Sequence, residues 1–349
     1  MDINEWADGV EHAVRNIYGT DPIIPLHRPF LTEFDMAEAA RRMADDPVDT
    51  KIITGFEEEL ADACGVPYAV ATSSGTAALH LALMVAGAGP EKSVSMSPRS
   101  FIAAHNAAVY CGAPVRFSDE PTADIHISSH IIGMTDPWLH ELARGQRPYP
   151  KDLFLIEDAA EALGSRLYGR PLGGWGDVGI LSFNNNKLVT TLGGGALVTA
   201  NKAIADAARH MGSTRRVTPV GWDYDGVGFN YRMGTINAAL GLLQLRRLPG
   251  ILAHKRDTFR LYVTGLKGAL LFPAPDERPN HWLVAMHALE VDKSVMELQR
   301  RGIMARPAFK PLPDVAPCKD WPTDRAALQR ARDYANGVLM LPSGWPGDA

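Results

Sequence analysis

The sequence predicts an α/β fold with a mainly parallel sheet, and two features predict it. From about residue 56 to 199 helix-like and strand-like stretches alternate, the order that produces parallel strands joined by crossover helices. Within that region Leu153-Phe-Leu-Ile-Glu-Asp-Ala-Ala160 places four apolar residues before two acids, the pattern of a parallel strand buried on both faces. A helical stretch over 235–248, rich in Ala, Leu and Gln, then leads to a smaller α+β part. That part contains a strand-like 281–286 and a helix-like 294–301 closed by Gly302, while its proline-rich 307–322 is expected to be irregular. The expected division is residues 1–248 for an N-terminal segment with a large domain and 249–349 for a small C-terminal domain.

Three elements of the large domain carry chemistry. The first is Ala69-Val-Ala-Thr-Ser-Ser-Gly-Thr-Ala-Ala-Leu-His80, where hydroxyls and Gly75 end a short strand, after which Leu79, Ala82, Leu83 and Ala86 recur at the spacing of one helix face. A helix start delivered to a sheet edge offers free N–H groups and the positive end of the macrodipole, a setting for a phosphate dianion. Thr76 and Ala77 are the expected donors, and a plain helix cap is the other role open to this cluster. The second element is the strand ending in Glu157-Asp158. Ligands of open α/β sheets sit at the carboxyl ends of strands, and an acid there can keep a pyridinium nitrogen protonated. Asp158 is the candidate, with a helix N-cap before Ala159-Ala160 as its alternative role; Glu157 falls on the opposite face by the strand period. The third element is Gly179-Ile-Leu-Ser-Phe-Asn-Asn-Asn-Lys-Leu-Val-Thr-Thr-Leu-Gly-Gly-Gly195, in which a lone amine, Lys187, follows a polar turn and precedes a glycine triplet. A lysine amine becomes a covalent catalyst when an aldehyde cofactor can condense with it as a Schiff base. Amine, acid and phosphate cradle together point to pyridoxal 5′-phosphate.

These pieces, with Ile24-Pro-Leu-His-Arg-Pro29, Phe56-Glu-Glu-Glu-Leu60, Gly176-Asp-Val-Gly179, Ser182-Phe-Asn-Asn-Asn-Lys187 and Gly228-Phe-Asn-Tyr-Arg-Met233 in that order along the chain, resemble the DegT/DnrJ/EryC1/StrS sugar-nucleotide aminotransferases. The resemblance implies the type I fold of pyridoxal phosphate aminotransferases. Ser-Phe-Asn-x-Asn-Lys below Asp-Ala-Ala-Glu-Ala-Leu-Gly is most similar to the branch that aminates C4 of UDP-linked 4-keto-6-deoxy-N-acetylhexosamines for bacterial glycans. It implies Lys187 as the Schiff-base residue and Asp158 as the pyridinium partner. The cofactor set becomes Gly75, Thr76, Ala77, Phe101, Asp158, Glu161, Ser182, Asn184, Lys187 and Asn230. Phe101 would stack on the pyridine ring, although a phenylalanine opening an apolar run also fits the core. Ser182 would take phosphate, and Asn230 would reach the cofactor of a second subunit, so that a homodimer shares its active sites; a turn after Gly228 is the other use of Asn230. The chain departs from the family pattern at Glu161, where glutamine is usual, and in the stretches 119–131 and 46–54, which border substrate in relatives.

The implied reaction is a two-stage transamination from glutamate to a nucleotide-linked keto sugar. A sugar dehydratase of similar sequence would carry histidine at position 187. An amino-acid lyase would share the lysine and aspartate, and a non-catalytic sensor would share only the fold. Composition fits an enzyme of small substrates: 35 basic against 40 acidic residues give a net charge of −5, no footing for nucleic acid. Three separated cysteines and unclustered histidines suggest no metal site. The acidic start, Met1-Asp-Ile-Asn-Glu-Trp6, lacks a signal pattern, and no apolar stretch approaches ~20 residues, so the chain is expected in the cytoplasm and not in a membrane.

Overall fold

Strands that are apolar on both faces set the architecture of the protein, here a computed structural model that describes residues 2–45, 50–146, 150–218, 220–266 and 268–346. Helices α1 (Ile3–Tyr18), α2 (Glu33–Asp45) and α3 (Thr50–Cys64) precede strand β1 (Tyr68–Thr72) and helix α4 (Gly75–Val85). Then come β2 (Val94–Met96), α5 (Ile102–Tyr110), β3 (Val115–Phe117), β4 (Ile125–Ser129), α6 (Pro137–Ala143) and β5 (Phe154–Asp158). The short β6 (Arg166–Leu167) and β7 (Arg170–Pro171) lead to β8 (Val178–Ser182), β9 (Gly195–Thr199) and α7 (Lys202–Gly212). The chain continues through α8 (Thr235–Leu266), β10 (Glu277–Arg278), β11 (Val284–His287) and α9 (Val291–Arg300), and then β12 (Arg306–Pro307), α10 (Arg325–Gly337) and β13 (Val338–Leu341).

Seven strands form the main sheet in the order β1-β9-β8-β5-β4-β2-β3. The neighbours from β8 through β5, β4 and β2 to β3 are parallel, and β9 runs antiparallel to both β8 and β1. Every residue of β4 and β9 is buried, because helices cover both faces. Strand period two sorts β5 between them: Leu155 joins the cluster with Phe56, Leu60, Leu181 and Phe183, and Ile156 joins the one with Leu79, Leu83, Ile127 and Ile180. Asp158 therefore stands on the α4 face and Glu157 on the other.

The C-terminal part carries an antiparallel sheet ordered β11-β13-β12. Its core holds Val284, Met286, Leu298 and Leu341, and also Ala7, Val10 and Val14 of the amino-terminal helix. Three elements differ from the sequence expectation. The helix expected over 235–248 runs 32 residues to Leu266, straight through Pro249. An internal proline costs about 3 kcal/mol, yet Leu248, Ile251, Lys255, Thr258 and Tyr262 are buried at alternating spacings of three and four, so packing on one face carries the helix past it. The strand expected over 281–286 starts only at Val284, since His281 has φ +51° and turns the chain. The helix expected over 294–301 begins at Val291. Of the stretch 46–54, residues 46–49 lie outside the described residues, and the rest opens α3.

Phe56 of α3 and Phe183 after β8 are both fully buried and meet edge to face at 5.4 Å. Gly241 of α8 closes over them, since a Cβ there would come within 2.4 Å of the Phe56 ring. Phe56→Ala is expected to lower stability by about 3–5 kcal/mol, read as a shift of the urea midpoint at unchanged slope; a shift within error would show that this contact does not hold the sheet face.

Candidate active site

Segments far apart in sequence meet around a cavity of about 890 Å³ at the carboxyl ends of β1, β5 and β8. Helix α4 starts there because Ser74, in extended conformation, accepts the Ala77 N–H on its Oγ at 3.1 Å. Gly75 and Thr76 line the cavity. Ala77, expected among the anion donors, is buried behind them with its N–H already donated to that cap. The backbones around this helix start are packed as closely as chains allow. A Cβ on Gly195 would lie 2.3 Å from the Gly75 nitrogen, and one on Gly75 would lie 3.1 Å from the Ser182 Cβ. Only glycine fits at position 195.

The two acids ending β5 have opposite fates. Glu157 accepts from Gly173 N at 2.8 Å, Gly176 N at 2.7 Å, Trp175 N, and His130 Nε2 at 2.9 Å. Asp136 N donates to His130 Nδ1 at 3.2 Å, which leaves Nε2 as the donor toward Glu157. Asp158 is 7% exposed and accepts from Ala160 N at 3.2 Å. Burial is the main reason its carboxyl is held above the usual aspartate range, opposed by that N–H and by the charge of Lys187. The helix that Asp158 was also free to cap does not form: residues 160–164 are turns.

Lys187 sits on the loop after β8, where its N–H donates to Asn184 O at 3.0 Å and Phe183 N donates to Gly194 O at 3.0 Å. Its Nζ lies 3.4 Å from Glu161 Oε1 and 4.5 Å from the centroid of the Trp282 ring, within the range where a cation is attracted to an indole face. Glu161 Oε2 is fixed by the N–H of Ile132 at 2.8 Å. Ile132 has φ +55°, a left-handed conformation rare for a β-branched residue and of the kind that clusters at functional sites. Phe101 is 49% exposed, so it is not core; it lines the cavity with its ring tilted against Phe309 at 5.5 Å.

The cavity thus collects Gly75, Thr76, Phe101, Asp158, Glu161, Ser182, Asn184 and Lys187. Asn230 is exposed outside it, in a backbone bridge with Ser213. Sequence reasoning missed His130, Trp282 and Arg306, which also line it. His130 was within reach, because it directly follows the buried strand β4 beside β5. Trp282 gave no signal, reading only as part of a strand.

The residues fit pyridoxal 5′-phosphate. The cradle around Gly75 is one that an added Cβ would fill, it lies at a helix start suited to a dianion, and Asp158 is a buried acid whose proton affinity suits a cationic ring nitrogen. Among the described residues no cluster of His, Cys, Asp or Glu could hold a metal, and no helix is long and apolar enough to cross a membrane.

Comparison with known proteins agrees with this geometry. The profile of the DegT/DnrJ/EryC1/StrS aminotransferase family matches residues 41–134 and 145–346. The chain is 32% identical over 312 residues to a GDP-perosamine synthase of Caulobacter vibrioides, covering 80% of this chain and 82% of that protein. It is 33% identical over 232 residues, 61% of each chain, to a UDP-4-amino-4,6-dideoxy-N-acetyl-beta-L-altrosamine transaminase of Campylobacter jejuni. The crystal structure of the aminotransferase TlmJ from Streptoalloteichus hindustanus superposes with a TM-score of 0.82 at 25% identity, over 92% of this chain and 93% of that one.

Because the folded, cofactor-free protein holds the Asp158 proton more tightly than the unfolded chain does, its stability declines as pH rises from the ordinary carboxylate value through the raised one. Asp158→Asn keeps an acceptor for Ala160 and removes the buried charge. It is expected to raise the melting temperature of the cofactor-free protein at mildly alkaline pH, with the gain vanishing below the ordinary aspartate range, and to weaken retention of pyridoxal phosphate. A variant that melts lower than the parent at alkaline pH would contradict this account.

Proposed function

The chain belongs to the DegT/DnrJ/EryC1/StrS aminotransferase family, and on that premise we propose that it transfers an amino group from glutamate to C4 of a nucleotide-linked 4-keto-6-deoxy sugar. It is a pyridoxal phosphate-dependent sugar aminotransferase. The observation that supports amine chemistry at this site is the Lys187 amine between Glu161 and the Trp282 face, in one cavity with Asp158 and the α4 start. A 4-amino sugar in the name of the Campylobacter jejuni relative supports amination at C4. We further propose that the product enters bacterial surface-glycan synthesis and that the enzyme works in the cytoplasm.

When bound, pyridoxal phosphate supplies a carbonyl that condenses with amines and a protonated ring that withdraws electrons. Asp158 would hold the proton on the ring nitrogen. Gly75, Thr76 and Ser182 would bind the phosphate, with α4 contributing its positive end, and Phe101 would press on the ring face by stacking. Asn184 and Glu161 would flank the ring on the Lys187 side. Lys187 Nζ would be the base that takes a proton from the donor carbon in the first half-reaction and returns one to the sugar carbon in the second. Arg306, an exposed guanidinium on the cavity's C-terminal wall, would meet the anionic groups that both substrates bring. We propose a homodimer in which Asn230 completes the neighbouring site; the exposed Val220, Trp222 and Val227 on the preceding loop support a covered surface there.

The test has two arms. Lys187→Ala is expected to lower turnover by at least about 10²–10⁴-fold, the range for losing a positioned acid–base group, and to remove the visible absorbance that bound pyridoxal phosphate lends the protein; normal turnover would end the assignment. Parent enzyme with glutamate and UDP-, GDP- and dTDP-linked 4-keto sugars is expected to release 2-oxoglutarate and a 4-amino sugar. Amination at C3 by NMR would overturn the position alone, and absence of 2-oxoglutarate with every acceptor would overturn the reaction.

A further inference from the structure

Trp282 is anchored through every polar group it has. Its N–H donates to Asn280 Oδ1 at 2.9 Å and its indole Nε1 to Asn186 O at 2.8 Å. Its carbonyl accepts from Lys255 Nζ at 3.2 Å and from Ser343 Oγ. These bonds reach both sides of the reactive amine. Asn186 is the residue before Lys187, and Asn280 Nδ2 donates to the carbonyls of Glu161 and Leu163 at 2.9 and 3.0 Å. The indole face itself carries Lys187 Nζ at 4.5 Å.

Lys255 of α8 is 2% exposed. Its Nζ bonds go to neutral oxygens, namely Trp282 O, Ser343 O and Ser343 Oγ, the last at 3.1 Å. Burial without a carboxylate partner pushes this amine well below the ordinary lysine range. A charge so placed is costly to bury and has no ion pair to offset that cost. What the lysine does supply is direction: one nitrogen joins the backbone at Trp282 to the segment after β13, where Tyr262 OH also donates to Pro342 O at 2.8 Å.

We propose that Lys255 is a positioning residue for the amine chemistry of Lys187, acting through Trp282 by fixing the indole that both supports Nζ and holds the Asn186 carbonyl. The proposal rests on Lys187 being the reactive amine. That reading fails on Lys187→Ala keeping its turnover, whereas this one fails on the measurements below with Lys187 intact.

Lys255→Met keeps the stem and removes the donors. In the cofactor-free protein, hydrogen exchange is expected to quicken in peptides spanning 184–188 and 280–284 while β1 and β9 keep their protection. With pyridoxal phosphate and substrates supplied, kcat is expected to fall about 10–100-fold with KM for the sugar nucleotide changed less than about twofold, the mark of lost geometry. Trp282→Phe removes the Nε1–H, and the double variant is expected to be no worse than the poorer single one, because both changes break one linkage. Losses that add in this cycle, or exchange that quickens evenly over the whole sheet, overturn the proposal and leave Lys255 a residue of stability only. Should Lys255→Met not fold, Lys255→Gln removes the amine and keeps a polar side chain; it is expected to quicken exchange at 184–188, and unchanged exchange there overturns the proposal as well.

Discussion

Two neighbouring carboxylates at the end of β5 are withdrawn from water, and the site follows from how each is compensated. A buried carboxylate without partners is far too costly to persist in charged form. Glu157 is answered from within the chain by backbone N–H groups of 173–176 and by His130, which ties the turn before β8 and the residue after β4 to the same strand end. Asp158 receives one backbone N–H and keeps its affinity for a proton. The first acid thus fastens the sheet edge together, and the second leaves that edge with an unmet demand for positive charge. Strand period two, which sends adjacent side chains to opposite faces, is what separates the two roles.

The C-terminal part takes its place in the same arrangement through α8 and Trp282. Leu242 and Leu245 of α8 belong to a core under the main sheet, while Tyr262, three turns after Leu252, belongs to the core shared by α1 and the small sheet. One continuous helix therefore spans both cores, and Asn280 and Trp282 bring side-chain amide and indole donors back to Glu161, Leu163 and Asn186. One side of the cavity beside the amine is built from this later part of the chain, facing Glu161 on the other.

Much of this was legible in the sequence because it depends on local pattern. The apolar run before Glu157, the hydroxyl and glycine loop before α4, and the lysine before a glycine triplet each encode an element and its end. The strand period even assigned Glu157 and Asp158 to their faces. What escaped was decided by contacts distant in sequence. Pro249-Gly250 reads locally as a stop, and only the buried stripe from Leu248 to Tyr262 overrides it. Trp282 looks like a strand residue until Asn186 and Lys255 are placed beside it. For Phe101 the local run left a core role open, and only its position ahead of α5 at the cavity, with its ring half-exposed, removes that alternative. Ala77 had its N–H claimed by the Ser74 cap, a competition between side chain and ligand that spacing does not show. Asn230 stands outside the cavity, in a backbone bridge with Ser213 that spacing does not show.

Glycine at position 195 has an implication for how such a protein diversifies. At Gly195 main chain is pressed against the main chain of Ser74 and Gly75, so a side chain there cannot be accommodated without moving the α4 start. The opposing wall, with Met304, Arg306 and Phe309, is made of side chains on the short strand β12 and its flanks, where exchange of one residue for another leaves the sheet undisturbed. Side chains on that wall can therefore vary while the backbone pressed around Gly195 stays as it is.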